Sequence, residues 1–278
     1  MRKAKIYFEL TRPRNNLIAA LAVLVGALVS YPVESVLKLT LACFSAGLIS
    51  AGGYVINDYF DLDTDRVNKP QRPLPRGELS RKSALNFSLL LSGAGVALSV
   101  FIKSSSLAVA SVSVFLLFLY SSKLKRELFV GNVVVSLICA FAFLYGGLVG
   151  SNFILSFIPA GFAFLFHLGR EILKDAEDLK GDLLINAQTI PIVLGKRMAF
   201  MLVTFIFSIL IALTLIPYLF NIFSFFYLFF VIFFVDAILI YAVLSMWKDP
   251  SQRNLGRLSG ILKLGMLLGI LAIFLGRL

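Results

Sequence analysis

The sequence predicts an all-α, multi-pass membrane protein: a helical bundle of about nine transmembrane helices, built as two four-helix repeats plus one helix. Three observations predict it. The 278-residue chain is 59% hydrophobic with a mean hydropathy of +0.91, far too apolar for a soluble domain of that length. Its apolar residues come in runs of roughly 20, the length that crosses a ~30 Å hydrocarbon core. Its polar stretches are only loop-sized, so no separate soluble domain fits between them.

The predicted spans are 8–30, 36–56, 81–102, 107–122, 129–150, 153–174, 198–219, 222–246 and 256–276. The start, "MRKAKIYFELTRPRNN", shares its basic residues with secretory signals. Its basic region is long, it carries Glu9, and no small-residue cleavage site clearly follows, so it reads as a retained first helix. Glu9, Arg12, Asn15 and Asn16 make one side of its early turns polar, which suits a helix facing a wet cavity. Spans two and three are joined by "NDYFDLDTDRVNKPQRPLPRG" (57–77), with four Asp, four basic residues and three Pro. Span four ends in "YSSKLKR", and spans five and six are joined by the uncharged "GLVGSNF". Span six leads into "KDAEDLKGDLLINAQTIPIVLGKR", and "IPYLFNIF" joins spans seven and eight. Span eight carries Asp236, an intramembrane acid that is expensive to bury, with Lys263 of span nine as its expected partner. Cys43 and Cys139 lie within spans, lack metal-ligand spacing and read as small core residues.

The chain has 26 Lys/Arg against 15 Asp/Glu, a net charge of +11. Of those 26, 22 fall in the N-terminal segment or in the loops after spans two, four, six and eight. This asymmetry predicts a cytoplasmic N-terminus, an external C-terminus and an odd number of spans. The basic excess follows that rule and gives no reason to invoke nucleic acid.

The loops after spans two and six are alike. Each opens with acids at helical spacing and continues to a Pro nine or ten residues on (Asp65 to Pro75, Asp182 to Pro191). A Gly follows (Gly77, Gly195), then a basic pair (Arg81–Lys82, Lys196–Arg197) that opens the next span. Four spans separate the two loops, so the sequence reads as a parallel duplication, approximately 8–122 and 129–246, with both acidic loops on the cytoplasmic side.

Asn57, Asp61 and Asp65 are spaced by four and share a helix face, with Asp58 beside it; Asp175, Asp178 and Asp182 form a second face. Lining up like charges is unfavourable, so a cation is expected there. With one His and no usefully spaced Cys, zinc and copper are poor fits. Carboxylates with an amide oxygen suit Mg²⁺ or Mn²⁺, and Mg²⁺ takes one or two carboxylates together with phosphate oxygens. Two such faces, opposed across a cavity, would hold a metal–diphosphate whose remaining charge the interspersed Arg and Lys would cap.

"NDYFDLDTD…NKPQRPLPRG" and "KDAEDLKGD…TIPIVLGKR" resemble the two signature loops of the UbiA-type intramembrane prenyltransferases, over nearly the whole chain. The resemblance implies a helical bundle whose central cavity opens sideways into lipid. It implies transfer of a prenyl group from a prenyl diphosphate donor, with Mg²⁺ (two ions, Mn²⁺ as a substitute). By the same resemblance Asn57, Asp58, Asp61, Asp65, Asp175, Asp178 and Asp182 are the metal ligands, and Asp61, Asp65, Asp178, Asp182, Tyr120 and Lys123 the catalytic set. The usual spacing puts a Lys four after the Tyr, where this chain has Leu124, so Lys125 stands beside Lys123 as a candidate. Arg12, Asn15, Arg66, Arg72, Lys125, His167 and Arg170 are the expected diphosphate or acceptor contacts. "FHLGREILKDAEDLKGD" resembles members that alkylate the free hydroxyl of geranylgeranylglyceryl phosphate in archaeal ether-lipid synthesis. The implied partners are that lipid phosphate, the donor and membrane lipids. An aromatic acceptor remains an alternative, and a divalent-cation or lipid-phosphate transporter is a rival of another class.

Overall fold

The computed structural model describes residues 2–184 and 186–277, with the side chains of Arg2, Lys3 and Asn68 outside the description. The described residues form helices and no strand; Val33 and Gly150 make one isolated antiparallel bridge. Eight helices among them are long and apolar enough to cross a membrane, and Pro13–Val29 is apolar but shorter. The chain is an integral membrane helical bundle.

The first predicted span is two helices, α1 (Arg2–Thr11) and α2 (Pro13–Val29), broken at Arg12 with φ 53° and ψ 63°. The cause is local. Pro13 has no N–H to continue α1, and the residue before a proline is pushed out of the right-handed helical region. Then come α3 (Val36–Phe60), α4 (Leu62–Asn68), α5 (Arg81–Val100) and α6 (Ser104–Ser122). A 3₁₀ turn (Leu124–Arg126) precedes α7 (Val130–Gly147) and another (Phe153–Ser156) precedes α8 (Phe157–Leu184). The second half continues with α9 (Ile190–Val193), α10 (Gly195–Thr214), α11 (Ile216–Leu219) and α12 (Phe225–Phe230). A π-helical turn (Val231–Asp236) leads into α13 (Ala237–Lys248), and α14 (Gln252–Leu275) closes the chain. Serines start three of these helices: Ser35, Ser80 and Ser251 accept from the backbone N–H of Lys38, Ser83 and Asn254, meeting donors that the first turn leaves open. Gly77 and Gly195 both have positive φ, 72° and 84°, a conformation that costs glycine little.

The chain divides into two compact units, 1–125 with 141–156, and 126–140 with 157–278. In the first, α3 packs on α2, α5 and α6. Gly26 of α2 and Gly146 of α7 let those backbones touch, since a Cβ on either would overlap the carbonyl of Phe143 or Val23. Buried Ser45 donates to Gly95 O at 2.7 Å and lies 2.9 Å from the Tyr145 hydroxyl. In the second unit α8 packs on α10 and α14, with Gly169 against the Phe207 ring. Asp236 is buried at the end of the π turn, where the Thr214 hydroxyl lies 3.3 Å from its carboxylate; Tyr227 in turn donates to Thr214 O at 2.8 Å. Lys263, its expected partner, is exposed, and Thr214 is the partner that the geometry gives Asp236.

Candidate active site

In the first unit, α3 ends at Phe60 and α4 restarts at Leu62, with Asp61 at the bend (φ −86°, ψ 2°). The four-residue ladder survives that bend: Asp61 N donates to Asn57 O at 2.9 Å and Asp65 N to Asp61 O at 2.7 Å. Asn57, Asp61 and Asp65 therefore stay stacked although they belong to different elements. The Asn57 side chain donates to Asp61 Oδ2 at 2.7 Å.

Asp58, Asp61 and Asp65 are 2%, 7% and 4% exposed, and buried carboxylates need cations to remain charged. Three arrive from distant parts of the chain. Arg12 pairs with Asp58. Arg72 bridges Asp58 (3.0 Å) and Asp65 (2.5 Å). Lys125, from the 3₁₀ turn after α6, pairs with Asp61. Arg12 is held in its left-handed conformation with its guanidinium 4.8 Å over the Tyr54 ring, a strained backbone tied down by two side-chain contacts.

Not every expected residue joins this group. Arg66 pairs at 3.1 Å with Asp63, and both side chains are more than half exposed; its position on α4 serves the solvent side. Lys123 is exposed at the C-cap of α6, so Lys125, not Lys123, is the lysine that reaches the acids. The reason is that α6 stops at Ser122 and the tighter turn that follows carries Lys125 to Asp61. Tyr120 is half-buried in the last turn of α6, and Asn15 half-buried in the first turn of α2. Asn16 is structural: it donates to Thr11 O at 2.9 Å and accepts from Ser50 at 3.0 Å, clamping the break before α2.

In the second unit the acids lie on α8, which runs ten residues beyond the predicted span and so carries them as a continuous helix. His167, Arg170, Lys174 and Asp178 follow one another at helical steps of three and four, as do Glu171, Asp175, Asp178 and Asp182, so the seven share one broad face. Asp175 Oδ2 accepts from Asn132 Nδ2 of α7 at 2.8 Å. Asp178 and Asp182 are half-buried. Arg170 donates to Glu171 Oε1 at 2.6 Å, and Lys174 Nζ is 3.5 Å from Glu171 Oε2. Asn132 is a residue that motif reading missed; its signal was a lone amide in the apolar run "VGNVVVS".

Among the described residues no three His, Cys, Asp or Glu side chains converge as a ready metal cage. That donor chemistry still fits Mg²⁺, which takes one or two carboxylates and completes its shell with water and phosphate oxygens. A Ca²⁺-type cage of protein ligands is not what the acids build.

The chain matches the model of the UbiA prenyltransferase family over residues 17–274. It is 35% identical to digeranylgeranylglyceryl phosphate synthase of Methanosphaera stadtmanae, covering 98% of this chain and 99% of that one. To the enzyme of that name from Methanopyrus kandleri it is 39% identical, with 96% and 97% covered. Its fold superposes with a TM-score of 0.80 on a structure solved for digeranylgeranylglyceryl phosphate synthase in membranes, at 34% identity and with 100% and 99% covered. A UbiA homolog from Archaeoglobus fulgidus bound to GPP and Mg²⁺ shares the fold alone, with a TM-score of 0.67 at 18% identity and 97% and 99% covered.

Proposed function

The chain belongs to the UbiA prenyltransferase family and is an intramembrane prenyltransferase, and from that premise we propose its substrates and chemistry. It transfers the geranylgeranyl group of geranylgeranyl diphosphate to the free hydroxyl of geranylgeranylglyceryl phosphate, giving digeranylgeranylglyceryl phosphate. The observation that carries this reading is the 35–39% identity, over nearly the whole chain, to enzymes named for that product. The buried acid group gripped by Arg12, Arg72 and Lys125 supports the donor half of it.

In the reaction the allylic C–O bond of the donor breaks and diphosphate leaves with the bonding pair. The acceptor oxygen forms the new C–O ether bond at the allylic carbon, and its proton passes to a carboxylate or to the departing diphosphate. Asn57, Asp58, Asp61 and Asp65 of the first repeat and Asp175, Asp178 and Asp182 of the second are the ligands that would hold Mg²⁺. When bound, the metal neutralises charge building on the leaving group. Arg72 and Lys125 do the same with fixed donors: they neutralise the acids in the structure and turn to the diphosphate oxygens when the donor arrives. The apolar spans keep water away from the electron-poor prenyl carbon. No nucleophile–base arrangement is needed, because an allylic cation is attacked by an unactivated hydroxyl.

The acidic helix ends lie on the cytoplasmic side in this proposal, because the Lys/Arg-rich loops accompany them. The test is mass spectrometry of the lipid formed by purified protein with Mg²⁺, geranylgeranyl diphosphate and geranylgeranylglyceryl phosphate. A two-chain ether phosphate is expected. Prenylation of an aromatic acceptor with no such lipid would overturn the acceptor reading, and absence of diphosphate release would overturn the enzyme chemistry.

A further inference from the structure

A second charged group sits on α8, one to two turns nearer the helix start than Asp175. Arg170 and Glu171 are 8% and 7% exposed, inside a segment long and apolar enough to span the membrane. The guanidinium is only partly used. Its Nη1 donates to Glu171 Oε1 at 2.6 Å, whereas its Nε is buried with no hydrogen-bond partner. Lys174 stands on the other carboxylate oxygen at 3.5 Å, and His167 precedes Glu171 by one turn.

One carboxylate thus serves both Arg170 and Lys174, and the guanidinium keeps an open N–H. Asp175 and Asp178 lie close by on the same helix, but Asp175 is engaged by Asn132 and both belong to the acids read as metal ligands. An intramembrane ionisable group is a candidate for function by default. A buried N–H without an acceptor points the same way. An anion with several oxygens supplies that acceptor, and a guanidinium fork matches phosphate in particular.

We propose that Arg170, with Lys174 and His167, binds the phosphate of the acceptor lipid. This rests on the acceptor being a lipid phosphate. The donor diphosphate already has its own cations in Arg12, Arg72 and Lys125. Arg170 is also five residues before Asp175, roughly 7–8 Å along the helix axis. A phosphate at Arg170 is therefore carried on the same helix as the second acid group, between one and two turns from Asp175. Glu171 holds the guanidinium in place and is a positioning residue.

The experiment compares geranylgeranylglyceryl phosphate with its dephosphorylated counterpart as acceptors, for the wild type, Arg170→Gln and Arg170→Lys. The wild type should prefer the phosphorylated acceptor by about a hundredfold or more in kcat/KM, as expected when a site built to pair a polar group loses it. Arg170→Gln should raise the acceptor KM by at least about thirtyfold and shrink the preference to about threefold, with Arg170→Lys between the two. The donor KM should stay within about twofold, because the diphosphate contacts are untouched. Arg170→Gln keeping the wild-type preference would overturn the assignment, as would a donor KM that rises as much as the acceptor KM. If Arg170→Gln does not fold, the charge-neutral pair Arg170→Gln with Glu171→Gln replaces it under the same two criteria. A wild type that ignores both lipids and prenylates an aromatic acid overturns the acceptor reading itself, a failure visible before any variant is made.

Discussion

The acid groups of the two compact units look alike in sequence and are held in different ways. In the first, Asp58, Asp61 and Asp65 take their cations from residues 46, 14, 7 and 64 positions away. In the second, the cations that pair with Glu171 are its own near neighbours on α8, and Asp175 is held by the neutral Asn132. The lesson is that two loops alike in sequence share their acids, while the partners of those acids depend on what the rest of each unit brings in. The first group is a charge-balanced grip whose cations are of the kind that hold diphosphate. The second is a helix-borne row of acids steadied by an amide.

Four measurements break or sharpen that contrast. The largest effect is expected from Asp61→Ala and Asp182→Ala, each lowering kcat/KM by about a thousandfold or more, since each removes a group that acts on the leaving-group charge. Prenyl transfer by membranes with normal protein levels checks it; undiminished turnover in either would remove that acid group from the mechanism. Next, Lys125→Met should cost about a hundredfold in kcat/KM, whereas Lys123→Met should stay within about threefold. The reverse order would mean that the pairing of Lys125 with Asp61 is not the working one. Asn132→Ala should raise the Mg²⁺ concentration for half-maximal activity by about tenfold, as losing a partner of a metal-binding carboxylate does. Excess Mg²⁺ should then restore kcat; a lowered kcat that no Mg²⁺ rescues would make Asn132 a packing residue. The smallest effect belongs to Arg66→Ala, within about twofold in every kinetic constant, because its ion pair is solvated. A large rise in donor KM would return Arg66 to the site.

Much of the fold was legible in one dimension. Apolar runs of membrane length marked the spans, since a continuous run of that length meets its backbone hydrogen bonds in hydrocarbon as a helix. Serine caps at 35, 80 and 251 were local signals that went unread, and the "RPR" at 12–14 held the signal of a break. That break was overlooked because the apolar run continues across it. The reach of α8 to Leu184 was hidden for a related reason: its last turns are polar, so a hydropathy reading ends before the helix does.

The acids, their spacing and the class of cation they suit were determined by the sequence alone, because a carboxylate's chemistry and a helix's 3.6-residue period are local properties. So was membership of a membrane class, which follows from composition. Which lysine meets Asp61, that Arg12 and Arg72 share Asp58, that Arg66 faces water, and that Asn132 steadies Asp175 were decided only by tertiary structure. Each depends on where a kink or a tight turn sends the chain over 7 to 64 residues, and a small change of backbone angle there moves a charged group from the cluster to solvent.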